Sequence, residues 1–143
     1  MVILDGTINA EQMVKALASS PFSQSKSYDG AAATLYSTIN YDITTIGNCD
    51  YIQLISASGY VYRYESRTTV TQNEVTLGTC GLSANGSNVS VTEKYYYPNA
   101  YSWSVNAPSK FVPVEMTCMN EWTVVGCKYV CTLKRGTATL QYQ

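Results

Sequence analysis

Histidine is absent from this chain, and the absence removes a large part of enzyme chemistry. Ser-His-Asp and Cys-His sites need an imidazole that takes and returns a proton near neutral pH, which no other unperturbed side chain does. Charge is scarce as well, at 13% of residues, about half the usual share. Nine Lys and Arg against ten Asp and Glu leave a net charge of −1, with a pI near 5.3. Phosphate backbones are bound through clustered basic residues, and the densest basic group here is Lys134-Arg135. Direct binding of nucleic acid is therefore not expected. No apolar stretch approaches the length that spans a bilayer. Neither GxxxxGK[ST] nor GxGxxG occurs, so no phosphate-cradling loop is written into the sequence. Without histidine and without a CxxC pair, no zinc module is expected either, and no cofactor. Met1 to Asp5 carries no positive region and no apolar run with a cleavage site, so it does not read as a signal peptide. That fits a protein used without secretion, or one whose leader has been removed.

Ser, Thr, Asn and 13 tyrosines stand in place of the missing charge. Low charge with many aromatics opposes disorder, which needs the reverse. The 143 residues, 45% of them hydrophobic, suffice for one domain over 1–143 with its own core. Lys and Glu are depleted at the centres of protein interfaces and Tyr is enriched there. A neutral, hydroxyl-rich surface thus suits a protein that lives packed against something.

Five cysteines, Cys49, Cys80, Cys118, Cys127 and Cys131, leave at least one thiol unbridged within the chain. Secretion would favour two bridges and one thiol; a reducing compartment would favour five buried thiols. Cys127 and Cys131, four apart on a strand, share a face but lie roughly 13 Å apart. A bridge between them is excluded.

The chain reads as mainly β, an antiparallel sandwich or barrel of about eight or more short strands with one N-terminal helix. The helix is expected over about 9–18: Asn9 caps it, Gln12 completes a capping box, and Ala10, Met13, Val14 and Leu17 share one face for docking on a sheet. Pro21 follows its end. From about 31 to 143 the period becomes two. Thr34–Ile39 and Tyr41–Ile46 read as separate strands, and Tyr51–Ile55 and Tyr60–Glu65 as a hairpin turning at Ala57-Ser58-Gly59. Thr68–Thr71 and Glu74–Leu77 read as two shorter strands. Asn85-Gly86 is a hairpin or a longer loop before the alternating Val89–Tyr95. Phe111–Cys118, Trp122–Leu133 and Thr137–Tyr142 close the chain as strands.

Two tyrosine clusters are the candidate contact residues. Tyr60, Tyr62 and Tyr64 share one strand face, either half-buried against neighbouring strands or a stripe for a subunit or a sugar. In Tyr95-Tyr96-Tyr97, strand alternation must turn Tyr96 away from its neighbours. With Tyr101 and Trp103 beyond Pro98, that segment resembles a paratope in composition, where rigid rings give contact area at low entropic cost. The ten acids are dispersed, and most alternate with apolar residues as solvent-facing strand positions do, so a carboxylate-only enzyme is not expected. These readings point to a non-enzymatic structural subunit of a larger assembly, a viral or phage virion protein of the capsid, decoration or fibre type. Its expected partners are other copies of itself or other structural subunits. The alternative is an extracellular role: a secreted lectin-like or effector module that binds a glycan through the Tyr/Trp surface, or a filament subunit.

Overall fold

The computed structural model describes residues 2–5, 8–9, 23–29, 32–118, 122–135 and 138–140. These form strands β1 (Val2–Asp5), β2 (Ile8–Asn9), β3 (Ser23–Asp29), β4 (Ala33–Ile46), β5 (Cys49–Arg63), β6 (Thr68–Leu82), β7 (Asn88–Tyr96), β8 (Ser102–Asn106), β9 (Val114–Glu115), β10 (Val124–Arg135) and β11 (Ala138–Leu140). The first sheet runs β1-β10-β6-β7, with β2 and β11 also paired to β10. The second runs β3-β4-β5-β8, with β9 also paired to β5. Every pairing is antiparallel. The chain is thus mainly β, and its two sheets do not close into a barrel. Among the described residues there is no helix, hence none long and apolar enough to cross a membrane. Of the helix expected over 9–18, Asn9 is in β2, opposite Val124, and the remainder lies outside the described residues.

Alternation builds the core. β4 turns Ala33, Leu35, Ile39 and Tyr41 inward, and β10 turns Val125, Cys127, Tyr129, Cys131 and Leu133 inward, into one buried cluster shared by both sheets. β5 and β6 are longer than the sequence suggested, for one physical reason. β5 buries Ile52 and Leu54, then Ala57, Gly59 and Val61, so its inward positions change from even to odd. The change falls where the β4–β5 register slips past Ile55, and one unpaired residue in a strand inverts the facing of all that follow. β6 does the same at Thr71, between buried Val70 and Asn73. The expected hairpin at Ala57-Ser58-Gly59 is therefore a continuous strand. Thr68–Thr71 and Glu74–Leu77 belong to one strand as well, as do the two halves of β4.

Gly59 marks a close approach rather than a turn. A Cβ there would lie 2.5 Å from a ring carbon of Trp103, its β8 partner. The turn at Asn85-Gly86 does form, between β6 and β7, with Gly86 at φ 86°. Of the stretch Phe111–Cys118 only β9 is strand; Phe111 is a core residue whose carbonyl accepts a 3.0 Å bond from Gln53 Nε2.

The bulges also place β8. The Ile55 carbonyl accepts the Ala107 N–H at 2.8 Å, and the Thr71 carbonyl accepts the Asn99 N–H at 3.1 Å. The two chain kinks thereby hold both ends of the segment that carries Trp103. Cys49 and Cys118 form a disulfide across 69 residues, while Cys80, Cys127 and Cys131 are thiols. One bridge with three thiols departs from both accountings offered by composition, and Cys127 and Cys131 do not bridge to each other, as their spacing required.

Candidate interaction surface

The pairing registers of the second sheet line up its outward residues in rows. Ser25 stands opposite Thr38, Thr38 opposite Ser58, and Ser58 opposite Ser104. The next row is Ser27, Tyr36, Tyr60 and Ser102; the row on the other side is Ser23, Asn40, Ser56 and Asn106. These three rows, across four strands, carry no charged side chain. The outer face of the first sheet is different, for Glu74, Lys94 and Lys128 lie on it, with a 2.9 Å ion pair between Lys94 and Glu74. Glu74 holds the Lys94 ammonium above its ordinary value through that bond.

Rings dominate one end of the neutral face. Tyr36 and Tyr60 stack with centroids 4.4 Å apart and planes 13° from parallel. Tyr62 meets Tyr64 edge to face at 6.1 Å, a geometry that the ring quadrupole favours. The Tyr64 hydroxyl lies 2.5 Å from Thr34 Oγ1, and Thr34 also donates to Asp29 at 3.1 Å. Arg63 closes this end, with its guanidinium 5.0 Å from the Tyr101 ring centre and 3.1 Å from the Thr68 carbonyl. Beside the Tyr36–Tyr60 pair is a depression of about 250 Å³, lined also by Ser25, Ser27, Ser37 and Thr38. Neutral donors, acceptors and aromatic planes in this arrangement can bind by stacking and hydrogen bonding.

The candidate tyrosines do not form one site. Tyr60, Tyr62 and Tyr64 are 50%, 61% and 49% exposed, although each belongs to a strand or its immediate end. Tyr101 is 38% exposed, at the Arg63 end. Tyr96 is exposed on the other sheet, opposite Glu74, while Tyr95 and Tyr97 turn inward and pack on the core. Trp103 is corrected outright: at 5% exposure it is a core residue. Its ring stacks on Tyr97 at 6.3 Å and meets Tyr129 edge-on at 5.1 Å. Burial pushes the phenols of Tyr97 and Tyr129 upward from their ordinary value. Sequence reasoning missed Tyr36 and the hydroxyl rows, although the alternation of Leu35, Ser37 and Ile39 already turned Tyr36 and Thr38 the other way.

Compared with known proteins, the chain matches no family model, no curated protein and no solved structure. The chemistry of this face is therefore the basis for a functional reading.

Proposed function

We propose that the chain is a non-catalytic structural subunit of a larger assembly, a virion shell, decoration or fibre protein, and that the neutral face of the second sheet packs against neighbouring copies or other structural subunits. The observation that carries the reading is the exposure of Tyr60, Tyr62 and Tyr64 beside three uncharged rows. Contiguous aromatic surface invites association, and interface energy concentrates in a few Tyr, Trp and Arg anchors. Tyr62→Ala is the direct test. We expect assembly to weaken by about 2 kcal/mol in light scattering or sedimentation, with the unfolding midpoint of the monomer nearly unchanged. Loss of folding with unaltered assembly would contradict the reading.

One observation favours a second reading. The depression beside the stacked Tyr36–Tyr60 pair joins a ring face to hydroxyls, as a neutral sugar requires, and would suit an extracellular lectin-like module. A chain that stays monomeric at high concentration and binds neutral glycans, with binding lost in Tyr60→Ala, would favour that reading.

A further inference from the structure

Away from the tyrosine face, the first sheet ends in a long free edge. β7 is its last strand, and β6 is its neighbour on one side only. Tyr97 and Asn73 exchange both backbone hydrogen bonds, and the Ser83 N–H donates to the Ser87 carbonyl. Antiparallel pairs alternate between bonded and unbonded, so the odd residues of β7 direct their backbone groups to β6. The N–H and C=O groups of Asn88, Ser90, Thr92, Lys94 and Tyr96 therefore point away from the sheet. Among the described residues no backbone group meets them. β7 is also the longest of the outermost strands, nine residues with no proline and no register shift. Charge commonly guards such an edge, but both charged residues of β7 are engaged within the chain. Lys94 pairs with Glu74 at 2.9 Å on the outer face, and Glu93 pairs with Lys110.

We propose that β7 pairs antiparallel with β7 of a second copy of this chain, about a two-fold axis at Thr92, so that two first sheets become one continuous sheet. Charge and self-complementarity select this register. With Thr92 opposite the partner's Thr92, the whole strand pairs: Ser90 faces the partner's Lys94, Asn88 the partner's Tyr96, Val91 the partner's Glu93 and Val89 the partner's Tyr95. No like charges stand opposite each other. Any other centre leaves part of the strand unpaired, and a centre at Glu93 or Lys94 also opposes like charges, which destabilises a sheet. The outward residues then form bonded pairs that exchange two hydrogen bonds each, so every orphan group on the edge is satisfied. Val89, Val91 and Tyr95 are only partly buried against the core, and the second copy covers more of them. Val89 and the partner's Tyr95 make a cross-strand aliphatic–aromatic pair, a stabilising combination. Side chains on the outer face, Tyr96 included, stay in solvent. This contact lies apart from the neutral face and does not depend on it.

The test joins sedimentation to cross-linking in the full chain, with Tyr62→Ala present throughout so that the neutral face does not contribute. We expect a dimer. Thr92→Pro removes an N–H that β6 does not use, a change an edge strand tolerates. It should raise the dimer dissociation constant at least tenfold with the unfolding midpoint nearly unchanged. Cys80→Ser removes the one free thiol that is not buried. In that background Thr92→Cys should give a disulfide-linked dimer on mild oxidation, because opposed bonded residues lie about 5.5 Å apart, within disulfide reach. Ser90→Cys should not, since the register sets it roughly 13 Å along the strand from its own copy. A chain that sediments as a monomer at every concentration overturns the proposal and leaves the reading of the neutral face standing. Equal cross-linking of the two cysteine variants overturns it too, as does a folded Thr92→Pro chain that dimerises undiminished. Should Thr92→Pro unfold, the two cysteine variants decide.

Discussion

Asn73 is wholly buried, and the whole of its polar side chain is used. Its Nδ2 donates to the carbonyls of Tyr97 at 2.9 Å and Ala100 at 2.7 Å, and its Oδ1 accepts the Tyr129 hydroxyl. The Asn73 and Tyr97 backbones also exchange two hydrogen bonds. One side chain thereby satisfies the turn between β7 and β8 and the phenol that touches Trp103. Removing it takes the amide partner from the Ala100 carbonyl and from the Tyr129 hydroxyl, and one of two donors from the Tyr97 carbonyl, which keeps the Asn73 N–H; a buried polar group left unpaired costs about 1–3 kcal/mol. Asn73→Ala should accordingly lower stability by about 3 kcal/mol or more in urea unfolding. A loss below about 1 kcal/mol would mean that water replaces the amide. Nothing in the sequence around Thr71-Gln72-Asn73-Glu74 announces this role, because the partners come from 24, 27 and 56 residues away.

At the scale of elements, Gly59 is the sharpest point of contact between sequence and fold. Besides the Trp103 ring, an added Cβ would meet the Tyr36 carbonyl oxygen at 2.6 Å; the ring has a core around it and the carbonyl belongs to a paired strand, so neither can yield freely. Overpacking of this kind costs about 1–3 kcal/mol, and we expect Gly59→Ala to fall in that range in thermal or denaturant unfolding. A neutral result would show that Trp103 shifts into spare volume. The same glycine shows why the fold was legible only in part. Period-two alternation from residue 31 onward identified the β class and most strand positions, and β7 and β10 follow it closely. It failed at Ile55 and Thr71, where a bulge inverts the facing and imitates a chain break. Gly59, two residues past such an inversion's first buried position, then looked like a turn. Trp103 was misplaced for a related reason: Pro98 correctly ended β7, yet β8 resumes in the other sheet with its odd residues inward. Tyr96, by contrast, faces outward because alternation alone decides it.

For the molecule as a whole, the two outer faces differ in chemistry. The first sheet bears charged residues, with the exposed Tyr96 among them, and the second bears hydroxyls, amides and stacked rings across its three middle rows, with Asp29 and Asp42 in the rows beyond. A single ring such as Tyr96 beside an ion pair is ordinary surface, whereas the Tyr36–Tyr60–Tyr62–Tyr64 series is continuous across two strands and their end. Composition foretold a neutral surface but not its layout; only the registers of β3, β4, β5 and β8 gather Ser25, Thr38, Ser58 and Ser104 into one row. The claim that this face is covered in the working state is tested most directly by oxidative footprinting of the tyrosines in assembled and dissociated protein. We expect Tyr60, Tyr62 and Tyr64 to be labelled readily in the dissociated chain and to be protected several-fold on assembly, with Tyr96 on the opposite sheet little changed. Equal labelling of Tyr60, Tyr62 and Tyr64 in the two states would contradict the account.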